Sequence, residues 1–348
     1  MQETQPVRPG EEIDVRSLSE YLTAALGNRG DIDISQFPAG SSNLTYLVTL
    51  GGNEYVLRRP PFGNTVKTAH DMRREFEVLS KLSDVYAPAP QPLVFCDDET
   101  VIGSEFYIME RRHGVIIRGA IPAAYLGVDP HGLCRTFISN LADLHSLDIA
   151  AAGLESLGRI DGYNRRQVEG WTKRYIAAKT DEYPELEEAI AWLNANIPPE
   201  SAASLIHNDY KFDNIMLDPD GLTRITAVLD WEMVTIGDPL MDLGTTLGYW
   251  MSPDAGEEML SMPFNPRVLM ENISRRDLVR MYAHDSARDV SNMLFYYVFG
   301  TFKIAVIAQQ IYARYARGFT KDERFASFNR LVAALGGIAT RAISLGAI

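Results

Sequence analysis

Apolar side chains recur along this chain with two different periods, and the change from one to the other divides it. After a polar leader, Val15, Leu18, Leu22 and Leu26 keep the spacing of a short helix. Leu44, Tyr46, Val48 and Leu50 then alternate with polar residues, and Gly51-Gly52-Asn53 turns the chain into a second strand, Tyr55-Val56-Leu57-Arg58. Met72, Phe76, Leu79 and Leu82 share one face of a helix over 70–82, and strands follow at 93–96 and 106–110. From Pro130 onward the period is helical, beginning with Leu133, Phe137, Leu141 and Leu144. Further helices are expected at 164–180, 185–197, 240–250, 275–316 (with room for a break) and 322–345, and Ser274 with Asp277 reads as a capping box. The pattern predicts an α+β protein, with a small antiparallel sheet and one helix followed by a larger, mainly helical part. The division falls near 110–115, giving domains at 1–112 and 113–348.

One stretch does not fit a packing pattern. LIHNDYKFDNIMLDPDGLTRITAVLDW, from Leu205 to Trp231, places His207, Asp209, Lys211, Asn214 and Asp230 around a predicted β-hairpin. Its arms are 214–217 and 225–229, and Asp218-Pro219-Asp220-Gly221 supplies the turn. Antiparallel pairing sets the start of one arm beside the end of the other, which is expected to bring Asn214 to Asp230. An amide and a carboxylate are hard oxygen ligands suited to magnesium, with the remaining positions left to water and phosphate. A carboxylate five residues before the amide, Asp209, can accept a proton from an attacking hydroxyl. Lys211 can neutralise a phosphate in transfer. A surface hairpin with an acidic turn would account for Asp218 and Asp220 but not for the Asp, Lys and Asn ahead of the first arm. A metal-dependent phosphoester hydrolase, with His207, Asp209 and Asp230 as direct ligands, is a second alternative. The six histidines, at 70, 113, 131, 145, 207 and 284, lack the spacing such a site ordinarily has.

Composition narrows the field. At 348 residues and 46% hydrophobic, the chain can bury a large core in two lobes. The start shows no secretory pattern, and the two cysteines, Cys96 and Cys134, are far apart, so a cytoplasmic location is expected. The longest apolar run, Leu294 to Ala308, contains Lys303 and is too short for a membrane span, so no membrane partner is expected. A net charge of −13 argues against nucleic acid. The charge is unevenly spread: residues 267–348 hold 12 basic and 6 acidic side chains, a balance of +6.

The pattern H-x-D-x-K-x-x-N, followed by L-D-W, resembles the catalytic loop and metal-binding aspartate of kinases. Together with YVLRRPP, REFEVL, FYIMERRHG, LADLH and GDPLMDLG, it makes residues 30–345 resemble the aminoglycoside phosphotransferase family. Within that family the chain is similar to the branch fused to, or encoded beside, acyl-CoA dehydrogenases. The resemblance implies a protein-kinase-like fold and ATP and Mg2+ as cofactors. It implies Asp209 as catalytic base, Lys211 near the γ-phosphate, Asn214 and Asp230 on the metal, and His207 and Asp242 as supports of the loop. Asp238, before Pro239, reads as a helix cap. In the sheet lobe, Arg58 stands where kinases place a phosphate-holding lysine, with Glu75 as its partner; Arg59 beside it is the other possible occupant. The phosphate-covering loop maps to Ser41, Ser42 and Asn43, with a single glycine, and neither G-x-G-x-x-G nor a P-loop occurs. Met109 takes the gatekeeper position, and the Glu110 carbonyl and Arg112 amide are implied to bond adenine.

Seven residues separate Asp230 from Asp238, too few for the activation segment and peptide platform of a protein kinase, so a small-molecule hydroxyl is the expected acceptor. The dehydrogenase-associated branch implies a hydroxyacyl-CoA, and Arg275, Arg276, Arg280, Arg314 and Arg317 are candidates to meet its phosphates. An aminoglycoside or other small alcohol is the alternative acceptor, for which the acidic stretch 181–188 could serve a polycation. A catalytically silent nucleotide-binding module is the remaining reading, prompted by arginine at position 58.

Overall fold

The computed structural model describes residues 3–38, 43–61, 71–251, 255–260, 262 and 264–348. Two units emerge: 1–113 together with 226–232, and 114–225 together with 233–348. In the first unit, α1 (Val15–Leu26) is capped by Asp14 and buries Leu18 and Leu22. The sheet comprises β1 (Ile32–Gln36), β2 (Leu44–Leu50), β3 (Asn53–Arg59), β4 (Pro92–Cys96) and β5 (Phe106–Glu110), all antiparallel in the order β1-β2-β3-β5-β4. Between β3 and β4 lies α2 (Met72–Leu82), whose buried face carries Val78, Leu79 and Leu82 and also the carboxylate of Glu75. Tyr46, Val48, Leu57, Phe106 and Ile108 form the centre of this unit's core with Leu18 and Leu22. The β1 strand was not expected. Ile32 and Ile34 pack partly buried against this core, and the one fully buried position of the strand is Gln36, which donates to Glu11 at 2.6 Å.

The second unit contains β6 (Val115–Ile116), α3 (Pro130–His145), α4 (Tyr163–Ala178), α5 (Pro184–Ala195), β7 (Ser204–Ile206) and β8 (Ile215–Leu217). The strand β9 (Ile225–Val228) leads into the segment grouped with the first unit. Then follow β10 (Thr235–Gly237), α6 (Pro239–Tyr249), α7 (Glu257–Leu260), α8 (Arg267–Asn272), α9 (Arg275–Ser286), α10 (Met293–Ala316) and α11 (Phe328–Leu345). Strand pairs β6–β8 and β7–β10 are antiparallel. The turn after β8 is closed by Asp218, whose N–H donates to the Arg224 carbonyl at 2.9 Å while its carboxylate accepts from the Arg224 N–H at 2.6 Å. The helical stretch over 275–316 is broken at Ala287, which caps α9 with φ 52°. By length and composition α10 could cross a membrane, yet 78% of its apolar window is buried in the protein, as in a core helix.

Two helices set the frame for the loop that follows β7. A Cβ on Gly300 of α10 would run into the backbone of Gly244 on α6, and one on Gly244 into the Tyr296 carbonyl. Bare backbone on both sides therefore lets α6 and α10 touch along their lengths. One turn beyond Gly300, Lys303 is 2% exposed and donates from Nζ to the Asn208 carbonyl at 2.7 Å, with Asn208 Oδ1 at 3.4 Å. Its ammonium also faces the Trp171 ring at 5.6 Å. Burial pushes Lys303 down to about 8, a fall that Asp242 and Asp209 oppose.

The glycine contact predicts that Gly300→Ala lowers stability by about 1–3 kcal/mol or more in denaturant titration, through overpacking. Gly337→Ala on α11, where a Cβ meets nothing within 4 Å, should instead stabilise by about 0.5–1 kcal/mol. Lys303 generates a pH prediction. Its folded value lies below its ordinary 10.5, so the unfolded chain binds more protons from about 8 to 10.5 and this group's contribution to stability rises with pH across that window. The Tm difference between Lys303→Met and wild type should therefore move against the variant between about pH 8 and 10. A difference that stays flat over this range would mean that the ammonium is solvated.

Candidate active site

The loop between β7 and β8 is held from behind by one carboxylate. Asp242, in the first turn of α6, is fully buried and accepts from the His207 N–H at 2.7 Å and the Asn208 N–H at 2.8 Å. His145 Nε2 lies 3.1 Å from the same carboxylate, and its Nδ1 is 2.8 Å from the Tyr282 hydroxyl. Burial pushes the Asp242 carboxyl up, but the His145 contact and the bonds from His207 outweigh this and hold it below the usual carboxylate range. Asp238 caps α6 as expected, accepting from the Leu240 N–H at 3.0 Å, and also binds Asn164 and Tyr296. His207 is buried, and its Nδ1 accepts from the Asp209 N–H at 3.3 Å, so it braces the loop.

Asp209, Lys211 and Asn214 come together in the second unit. Lys211 Nζ is paired with Asp209 Oδ2 and lies over the Tyr249 ring at 5.1 Å. Asn214 donates from Nδ2 to both the backbone carbonyl and Oδ2 of Asp209, each at 2.9 Å, which leaves its Oδ1 as a ligand atom. The Tyr249 hydroxyl donates to Asp209 Oδ1 at 2.9 Å. Burial raises the Asp209 carboxyl, yet Lys211, His207 and Tyr249 together keep it below its ordinary value, so it is ionised at neutral pH. Beside it, burial pushes Asp213 up to about 6 against the pull of Lys211 and Arg118. Three contributors were not singled out from the sequence: Tyr249, His145 and Lys303. Each sits on a helix at a position that the apolar period assigns to core, so only their polar atoms set them apart.

Arg58, Glu75 and Asp230 come together in the first unit. Arg58 forks, with Nη1 on Glu75 Oε1 at 2.6 Å and Nη2 on Asp230 Oδ1 at 3.3 Å. Burial works against the Arg58 charge, and Glu75 with Asp230 more than offsets it. The Glu75 carboxyl is pushed up by burial and pulled down by Arg58. Arg59, one residue on and therefore on the opposite sheet face, turns to the Ile102 carbonyl at 2.8 Å instead. Segment 226–232 is tied to this unit by the Val228 N–H on the Pro88 carbonyl, by Tyr86 edge-on to Trp231, and by Arg74 on the Glu232 carbonyl. Asn43 donates to Glu232 at 3.0 Å, whereas Ser41 and Ser42 lie outside the described residues. Met109 is buried on β5, Glu110 bonds Gln91 through backbone and side chain, and the Arg112 guanidinium is taken up by Glu110, Ala87 and Ala89.

The donor chemistry fits a nucleotide with magnesium. Arg58 Nε is buried without an acceptor among the described residues, a donor left over beside a fork that already carries two carboxylates. Asp230 in the first unit is one-third exposed, and Asn214 in the second keeps its Oδ1; each is a hard oxygen of the kind magnesium takes. Asp230 has φ 68° and Asn208 φ 67°, left-handed conformations that Asp and Asn adopt more readily than other side-chain-bearing residues.

Known proteins place this geometry. The family model for the phosphotransferase enzyme family, APH, matches residues 33–262. The chicken protein named acyl-CoA dehydrogenase family member 11 is 35% identical over 339 residues, covering 94% of this chain and 43% of that protein. The chain thus spans less than half the length of the curated relatives it matches. A Ralstonia eutropha structure, described provisionally as an aminoglycoside phosphotransferase, superposes with a TM-score of 0.79 at 28% identity, covering 95% of this chain and 98% of that one. Aminoglycoside phosphotransferase APH(4)-Ia, solved in ternary complex with AMP-PNP and hygromycin B, shares the fold with a TM-score of 0.62 at 14% identity, covering 94% and 98%. The protein-kinase-like fold and the small-molecule kinase class follow, and the chain belongs to the APH phosphotransferase enzyme family.

Proposed function

We propose that the protein transfers the γ-phosphate of ATP, with Mg2+, to a hydroxyl group of a hydroxyacyl-CoA. The observation that carries the reaction is the ionised Asp209, gripped on both oxygens by Tyr249, Lys211 and Asn214. A carboxylate held this way can orient an alcohol and take its proton as the new P–O bond forms. Lys211 balances charge on the phosphoryl group in transfer. Arg58, kept rigid by Glu75, holds the nucleotide phosphates in place of the usual lysine, and its planar fork suits phosphate. Asn214 and Asp230 are the residues that would hold magnesium, which supplies charge neutralisation at the phosphates. The Glu110 carbonyl and Arg112 amide are assigned to adenine beside Met109, with Ser41, Ser42 and Asn43 over the phosphates.

The acyl-CoA acceptor draws support from the names of the relatives, acyl-CoA dehydrogenase family members, of which this chain matches less than half. A polycationic acceptor finds less support. Glu182 and Glu187 in the acidic stretch are already engaged by Lys179, at 2.8 and 2.9 Å, on an exposed surface. The hydrolase alternative is weakened by His207, whose Nδ1 is occupied by a backbone amide.

Two outcomes test the reading. Asp209→Asn should keep the fold and nucleotide binding yet slow single-turnover transfer to a hydroxyacyl-CoA by roughly 10²–10⁴, the scale of a general base. Near-normal rates in a folded variant would remove Asp209 from that role. Arg58→Ala should raise the KM for ATP about tenfold or more, while Arg59→Ala should leave it within about twofold, because only Arg58 faces Glu75 and Asp230. The reverse order of sensitivity would move the phosphate contact to Arg59.

A further inference from the structure

Three of the twelve basic side chains of residues 267–348 line one pocket. Arg275 and Arg276 in the first turn of α9 and Arg341 on α11 line a pocket of about 150 Å³, with Tyr297 on α10 and the apolar side chains of Ile338 and Ala342. Among the described residues lining it there is no Asp or Glu. The Arg275 guanidinium lies flat over the Tyr297 ring, 4.7 Å from its centroid, and donates to the Trp250 carbonyl at 3.1 Å. That guanidinium is therefore held before any ligand arrives, and Arg276 and Arg341 are exposed residues of the same lining. In a chain of net charge −13, three guanidiniums converging on one concavity raise a local positive potential against the overall field. The position relates to the base. Tyr249, the last residue of α6, donates to Asp209, and the next residue, Trp250, accepts from Arg275. Consecutive residues at one helix end thus reach the base and the arginine pocket.

We propose that the Arg275–Arg276–Arg341 pocket binds a phosphate group at the remote end of the acceptor. Guanidinium forks match phosphate oxygens two at a time, and a volume below the ~300–1,000 Å³ of a whole small-molecule site suits a single group of a longer ligand. The identity of that ligand rests on the acyl-CoA reading above; the pocket itself does not. Anchoring the far end would place the hydroxyl at Asp209 through binding energy remote from the reacting atoms.

Arg276→Ala and Arg341→Ala, both at surface positions, test this with two readouts. In the first, KM is measured for a hydroxyacyl-CoA and for the same acyl group on pantetheine, which lacks the phosphates. Each substitution should raise KM for the CoA thioester about tenfold and leave KM for the pantetheine thioester unmoved. Equal KM values for variants and wild type on the CoA thioester would overturn the inference and leave the kinase reading standing. In the second, adenosine 3′,5′-bisphosphate is titrated by calorimetry into protein saturated with AMP-PNP, so turnover is not needed. Binding that weakens about tenfold in each variant, and weakens further with salt, supports the pocket even if no hydroxyacyl-CoA is turned over. Absent binding, or binding indifferent to both substitutions, overturns it. Inorganic phosphate binding as tightly as the bisphosphate would make this a free-phosphate site and overturn the acceptor assignment.

Discussion

Asp242 is a carboxylate fully buried in the second unit, where two successive backbone amides and an imidazole lie within hydrogen-bond distance of it. A charge in such a place persists only when it is fully hydrogen-bonded. That requirement runs in both directions. The amides of His207 and Asn208 must point at α6, which fixes the peptide plane ahead of Asp209, and His145 must keep its place on α3. From the other side, Lys303 takes the Asn208 carbonyl, so one residue is clamped through its N–H and its C=O by opposite charges on two helices. The close contact of those helices at Gly244 and Gly300 is what lets both charges reach the loop.

The first unit solves a comparable problem with a different cation. Arg58 is nearly buried, and its fork presents two nitrogens, one to Glu75 and one to Asp230. Two carboxylates share one guanidinium, which leaves the cluster with one formal negative charge in excess when both are ionised. The neighbouring Arg59 is buried too, and it donates to the carbonyl oxygens of Pro60 and Ile102; burial lowers its proton affinity more than Tyr46 and Glu11 raise it. Adjacent arginines on one strand therefore have opposite electrostatic surroundings, because a strand sends successive side chains to opposite faces.

Much of this was legible in the sequence because function required polar residues at intervals that packing does not select. Asp209, Lys211 and Asn214 interrupt a stretch whose other side chains, Tyr210, Phe212 and Ile215, are core. Arg58 and Glu75 were legible through the family resemblance alone, which left Arg59 as the other possible occupant until the strand's facing was known. Lys303 and Tyr249 were not, since a long apolar helix accepts either as one more large side chain until its terminal atom is placed. The β1 strand went unread although Ile32 and Ile34 alternate towards the core, because Gln36 ends that short alternation with a polar residue. The break for which the 275–316 stretch left room could not be located, because Ala287 takes a left-handed conformation without the glycine that ordinarily signals it. The grouping of 226–232 with the first unit depends on contacts such as Val228 with Pro88 and Tyr86 with Trp231, distant pairings that no local pattern encodes.

Strain is placed where these clamps are. Among the described residues, four other than glycine have positive φ, and two of them, Asn208 and Asp230, carry atoms of the site. Glycine would adopt those angles at no steric cost, yet it would remove the amide that bonds the Met233 carbonyl in one case and the carboxylate that meets Arg58 in the other. Asn and Asp tolerate the left-handed region better than most residues and keep a polar side chain there. The remaining conformational cost, of order 1 kcal/mol or more per residue, is offset by backbone bonds at one residue and a side-chain ion pair at the other. At Asn208 those are Asp242 and Lys303; at Asp230 it is the Arg58 fork. A backbone so constrained has few alternative states, so these groups are ordered within the protein itself, and binding of any ligand need not supply that ordering.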